Sequence, residues 1–320
     1  EGLEVSRELG NKDDIASGLN NLASVVYERG DYTKARELIE ETLAIDRESG
    51  DPSKISFSLI NLGTVARLQG DYDIARNLLE ESLAIRRKAK NKFAISSSLN
   101  TLGILHSNLG EYEKAKAYVN EGLQIAEELG NKYGIGDAYG LLGDIEALIG
   151  NLDEAKKLQK ESLQIFEEMG KKNKIADRYS NLGSIAHQTG DNPKAIELLD
   201  KALELQRSIG DKFGIALTLL RLGKVKISNK DYGGAIQNIN ESNAIRTKLG
   251  HKGGIAECLN ASANISLLEG KTDEAKQMFL ESYEFHDLLK NTIGIASDMI
   301  GLAGVLMKAE RFEEAARMLA

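Results

Sequence analysis

The sequence predicts an all-α solenoid, a right-handed superhelix of stacked antiparallel helix pairs with a 40-residue period. Three observations carry this prediction. The first is a set of columns that recur without insertion or deletion. Ile15, Ile55, Ile95, Ile135, Ile175, Ile215, Ile255 and Ile295 form one; Ala35, Ala75, Ala115, Ala155, Ala195, Ala235, Ala275 and Ala315 form another. The second is that each period holds two apolar stripes at helical spacing, separated by a glycine. The third is composition. Only 2 prolines interrupt the chain, its 31 glycines fall mostly at fixed places in the period, and with aromatics at 5% the core must be built from Leu, Ile and Ala.

Taken in order, residues 1–10 match 121–130 and read as the end of a preceding unit's second helix. Residues 14–293 hold seven full helix pairs, and 294–320 a truncated eighth. Both ends are therefore expected to be cuts within a longer array. In each unit a first helix is closed by a turn residue (Gly30, Gly70, Gly110, Gly150, Gly190 and Gly270, with Lys230 and Glu310 as exceptions). A second helix follows and ends at Gly10, Gly50, Gly130, Gly170, Gly210 or Gly250, with Lys90 and Lys290 departing. The pair from Lys174 to Gly210 shows the logic. Ile175, Tyr179, Leu182, Ile185 and Ala186 share one face, and Asn192 and Pro193 are expected as cap and first helical residue. Ala195, Leu198, Leu199, Ala202, Leu203 and Leu205 then carry the apolar face of the second helix. Small residues at Gly63, Gly103, Gly143, Gly183 and Gly223 lie in mid-helix, which implies close approach of the Ala column.

Composition also bounds function. A net charge of −8 argues against direct binding to nucleic acid or an anionic membrane. No apolar run reaches the roughly 20 residues of a membrane helix, and no signal peptide is visible. The single cysteine, Cys258, fits a reducing, cytoplasmic setting and reads as a packed thiol. His106, His187, His251 and His286 lie in different units without a metal-ligand partner at helical spacing, so they read as isolated surface or groove histidines. Gly270-Lys271-Thr272 lacks the preceding strand and first glycine of a phosphate loop. Glu40/Glu41 and Glu80/Glu81 recur with the period, as solvated faces do. No catalytic residue, cofactor or metal is expected; the chain does not read as an enzyme.

Leu182-Gly183, the turn Gly190, Ala195, Leu199 and Ala202, with Tyr32, Tyr72, Tyr112 and Tyr232 two residues after the turn, resemble the tetratricopeptide repeat. The family's usual period is about 34 residues. The longer variety here is similar to that of Pins-type adaptors, kinesin light chains and the sensor arms of signal-transduction ATPases and transcription activators. This resemblance covers the whole chain and implies a protein-interaction module that holds a peptide or partner segment in a concave groove lined by first helices. The alternative it implies is a sensor or regulatory arm of a larger multidomain regulator.

By that resemblance, contacts come from three columns of the first helices. The position before the L-G leucine gives Asn21, Asn61, Asn181 and Arg221; two residues after it come Ser184, Lys224 and Asn264; one residue further before it come Asn100, Ser180 and Asn260. His187 completes the set. Asn offers a donor and an acceptor to a peptide backbone. Arg221 and Lys224 add preference for an acidic side chain or a free carboxylate. A two-carboxylate clamp is not carried, since Leu217 stands where a Lys is expected. Self-association through the terminal half-repeats is a further expectation.

Overall fold

The computed structural model describes residues 2–28, 31–289 and 291–319, and the turn residues Gly30 and Lys290 lie outside them. The chain divides into two compact units, Glu1–Lys174 and Ile175–Ala320. The first holds α1 (Gly2–Leu9), α2 (Lys12–Glu28), α3 (Tyr32–Ser49), α4 (Pro52–Leu68), α5 (Tyr72–Lys88), α6 (Lys92–Asn108), α7 (Tyr112–Glu128), α8 (Lys132–Leu148) and α9 (Leu152–Glu168). The second is built on α10 (Lys172–Gln188), α11 (Asn192–Ile209), α12 (Lys212–Ser228), α13 (Tyr232–Lys248), α14 (Lys252–Leu268), α15 (Thr272–Leu288), α16 (Thr292–Lys308) and α17 (Phe312–Leu319). Within each unit the architecture is an α-solenoid. Helices adjacent in sequence pack on one another, and α4, α6 and α8, like α12, α14 and α16, also touch in series.

The mid-helix glycines mark where each pair crosses. A Cβ on Gly183 would lie 2.7 Å from Leu199 Cγ and 3.2 Å from the Ala195 carbonyl oxygen; Gly63 and Gly223 meet Leu79 and Ile239 in the same way. The expected Gly-to-Ala crossing is therefore the place of closest approach. A second tie was not anticipated. Ser82, Ser162, Ser242 and Ser282 on second helices donate their buried hydroxyls to the carbonyls of Ser56, Gly136, Ala216 and Ala256, at 2.7 to 2.9 Å. A hydroxyl satisfied this way adds a bond without leaving a polar atom orphaned in the core.

The turns follow the left-handed pattern even where glycine is missing. Lys90, Lys230 and Glu310 hold φ of 55°, 61° and 58°, a strained conformation for a residue with a Cβ. Helix starts differ from expectation in one detail. Asp191, not Asn192, caps α11, accepting from the Lys194 amide at 3.1 Å, and Asn192 is the first helical residue. An aspartate one residue earlier reaches the same orphan amide with a full charge. On the outer face Arg47–Glu81, Arg87–Glu121 and Arg207–Glu241 join successive second helices, all between half-exposed side chains and so weakly stabilising.

Candidate functional site

The three contact columns are not equivalent once folded. The column of Asn100, Ser180 and Asn260 turns inward. Ser180 is 2% exposed. The Asn100 side-chain oxygen is buried without a partner and would lie 2.9 Å from a Cβ on Gly122 of α7. Asn260 donates to the fully buried Asp298 carboxylate at 2.6 Å. Ser180 and Asn260 bond neighbouring helices and Asn100 points its oxygen at α7, which corrects their expected placement along an open groove. The other two columns stay open: Asn21 and Lys224 are exposed, and Asn61, Asn181, Ser184, Arg221 and Asn264 are half-buried.

In the second unit several of these side chains converge. Arg221 Nη1 on α12 donates to Ser180 Oγ at 2.7 Å and to Asn181 Oδ1 at 2.8 Å, both on α10. Ser180 is also within 3.0 Å of Thr218 Oγ1, so the guanidinium is fixed from below by a buried hydroxyl pair. Such fixing removes rotamer freedom that binding would otherwise have to freeze. Lys224, one turn on, is solvent-facing. Asn264 is committed to its own helix, donating to the Asn260 carbonyl at 2.8 Å. His187 lies apart at the α10–α11 turn, its Nδ1 2.8 Å from Asn192 Oδ1.

Glu257, on α14, belongs to this face and was missed from sequence. Its carboxylate accepts from Arg246 Nη1 at 2.9 Å, and Arg246 itself is 3% exposed. Burial raises the Glu257 pKa, but the cations of Arg246 and Lys224 more than offset it and the net shift is downward. The face therefore carries both signs, with Lys224 near enough to help hold the Glu257 carboxyl below its usual range. Glu257 sits four residues before Ala261 on the same helix, in register with Leu217, and that register is the signal that could have found it.

The histidines correct the surface reading. His106 is 4% exposed, 2.7 Å from Glu111 and stacked on Tyr118. His286 is 2% exposed, with Nδ1 2.6 Å from Asp298 Oδ2. His251 caps α14 by accepting from the Gly254 amide at 3.2 Å, and burial followed by the nearby Arg246 charge lowers its pKa to about 4. Cys258 is buried, 3.4 Å from Ser242 Oγ, and burial raises its pKa. Among the described residues no group of three or more His, Cys, Asp or Glu side chains is placed to hold a metal ion, and no helix is long and apolar enough to cross a membrane.

The sequence matches the tetratricopeptide repeat family over residues 14–88, 94–168 and 175–248, more than half of the chain. A comparison with curated protein sequences finds no match. Among solved structures, similarity extends to the Rap conjugation gene regulator of plasmid pLS20 in complex with the Phr* peptide. That likeness has TM-score 0.67 and 17% identity, covering 96% of this chain and 77% of that one. The apo quorum sensor NprR from B. thuringiensis is similar at TM-score 0.63 and 16% identity, covering 98% and 89%. A STAND protein with a tetratricopeptide repeat sensor from Pyrococcus horikoshii is similar at TM-score 0.59 and 16% identity. There the match covers 95% of this chain, which spans about half (47%) of that protein. At these identities the likenesses establish the fold.

Proposed function

The chain belongs to the tetratricopeptide repeat family, and we propose that it is a protein-interaction module whose second unit grips a peptide or partner segment at Asn181, Ser184, Arg221 and Lys224. The supporting observation is the pre-set Arg221 guanidinium, held on Ser180 and Asn181 next to an exposed Lys224. An extended segment laid across α10 and α12 meets amide and hydroxyl groups for its backbone and cations for an acidic side chain or terminus. Glu257 beside Lys224 narrows this preference, because a second acid on the ligand would face a carboxylate. Interaction at a protein surface needs no catalytic group, and the reading is non-enzymatic and cytoplasmic.

A displayed random-peptide library tests it. Selection on the wild-type chain should enrich peptides with one acidic residue or a free C-terminus, and their binding should weaken as salt rises. Arg221→Glu combined with Lys224→Glu should abolish capture with the helical circular dichroism retained. Undiminished capture by the double variant would refute the site.

A second reading is a sensor or regulatory arm of a larger signalling ATPase or transcription regulator. Its support is the likeness to the sensor-bearing STAND protein, which is about twice as long as the match, and to a peptide-bound Rap regulator. Self-association is tested by light scattering over a dilution series; a mass independent of concentration would dismiss it.

A further inference from the structure

We propose that the turn between α5 and α6, in the first unit, is a second contact point, which takes an acidic partner segment that also carries an apolar side chain. Residues 87–93 are all exposed, and among them stand Arg87, Lys88, Lys90 and Lys92 without a single acid. Phe93 closes the run and is 64% exposed.

The array shows what ordinarily occupies this edge. Lys12 bonds Glu48, Lys92 bonds Glu128 at 2.7 Å and Lys132 reaches Glu168 at 3.5 Å, each pair 36 residues apart. The step between the first two is broken at both ends, with Pro52 in the Lys column and Lys88 in the Glu column. Lys88 and Lys90 therefore have no partner among the described residues. Lys90 also holds φ 55°, a left-handed conformation that Gly50, Gly130 and Gly170 supply at the neighbouring turns without a Cβ. Cations suit the C-terminus of α5, which accounts for Arg86, Arg87 and Lys88. It accounts neither for a long side chain at the left-handed position nor for the open Phe93.

The backbone that presents these groups is fixed. The amides of Lys90, Asn91 and Lys92 donate to the carbonyls of Arg87, Arg86 and Lys90 at 3.0, 3.2 and 3.1 Å. The Asn91 side chain caps α6 by accepting from the Ala94 amide at 3.1 Å. A rigid turn leaves only side chains to be ordered on binding.

The kind of partner follows from the adjoining turns. Glu48 is exposed at the α3–α4 turn, and Glu127 and Glu128 at the α7–α8 turn. A broad anionic surface, whether bilayer or nucleic acid, would meet these carboxylates along with the lysines. A single chain segment is narrow enough to touch the α5–α6 turn alone, with acids for Lys88 and Lys90 and an apolar side chain over Phe93. The site uses no residue of the Arg221 face and stands without it.

Fluorescence anisotropy with labelled peptides tests this on the full chain carrying Arg221→Glu and Lys224→Glu, so that the other face does not contribute. The peptide Glu-Leu-Glu-Leu-Glu should bind saturably, and Glu-Ser-Glu-Ser-Glu about fivefold more weakly. Lys88→Glu with Lys90→Gly gives the turn the residues that Glu128 and Gly130 supply at the next one, so the fold should be kept and Tm should hold or rise. That pair should weaken the leucine peptide about tenfold or more. Phe93→Ser should remove the preference for leucine over serine. Three results would overturn the assignment: no saturable binding of the leucine peptide, binding that the Lys88 and Lys90 changes leave intact, or a fall in Tm that ties the two lysines to the fold. Capture of phosphatidylserine vesicles or single-stranded DNA, lost in the same double variant while the peptides fail to bind, would overturn it in favour of a broad anionic surface.

Discussion

In residues 1–174 the open positions of the first helices carry mainly neutral amides and hydroxyls, whereas in residues 175–320 they include the cations Arg221 and Lys224. Thr64 and Thr101 turn their hydroxyls back onto the Ile60 and Ser97 carbonyls, and the acid Asp144 is held by Gln159 at 2.6 Å. In the second unit Arg221 is held on α10, Arg246 pairs with Glu257, and Asn260 and His286 both bond the buried Asp298 carboxylate. The helix pairs are alike in the two units. The difference lies in what sits at two positions twelve residues apart that meet between successive pairs: Asp46 with Ser58 and Arg86 with Ser98 in the first unit, His286 with Asp298 in the second. A constant scaffold can thus carry a variable set of joints: each first-unit joint sets one charged group against a hydroxyl, and the second unit sets His286 against a carboxylate.

Substitutions at the joints should show this most strongly. Asp298→Ala orphans His286 and Asn260 in a closed interior and should cost about 3–5 kcal/mol by urea unfolding. The hydroxyl–carboxylate joint of the first unit has less at stake, and Ser58→Ala should cost about 1–3 kcal/mol. Equal losses would erase the distinction between the units.

Acid sensitivity should separate them next. His251 occupies a capping place filled by Asn91 and Asn131 in the first unit. Its folded pKa, about 4, lies below the ordinary value of 6.5 because burial and Arg246 disfavour the imidazolium. The stability it contributes is therefore complete above pH 6.5 and is lost as the pH falls toward 4. His251→Asn keeps a cap acceptor and should flatten the decline of the urea midpoint over that interval. An unchanged pH profile would place the sensitivity elsewhere.

The smallest difference is expected where the scaffold is shared. Ala115→Leu and Ala195→Leu each push a branched side chain into a fully buried crossing, beneath Gly103 and Gly183, and should cost the same, about 1–3 kcal/mol. A large disparity would mean that the crossings are not equivalent after all.

How much of this was legible in the sequence depended on distance along the chain. The fold was, because a period of 40 residues repeats the apolar columns eight times and each column has one packing reason. That Asn181, Arg221 and Lys224 fall on one side of the first helices follows from the same register; their role as contacts was taken from the family resemblance. The joints were not, because His286 finds Asp298 twelve residues away, across a turn, where helical spacing does not look. Asn100 and Ser180 were misplaced for a related reason: one residue of rotation, about 100° on a helix, separates an open position from one that faces the neighbouring helix. Glu257 escaped notice because its partners, Arg246 and Lys224, lie on two other helices.

The central claim is that contact is concentrated on the charged face of the second unit, and calorimetric titration of one library-selected peptide into paired variants tests it most directly. Arg221→Glu with Lys224→Glu should reduce affinity by about a hundredfold or more, the scale of a buried charge-assisted pair and its reversal. Asn61→Ala with Thr64→Ala, on the equivalent face of the first unit, should change it less than about threefold. Equal losses from the two pairs, or a larger loss from the first-unit pair, would contradict the account.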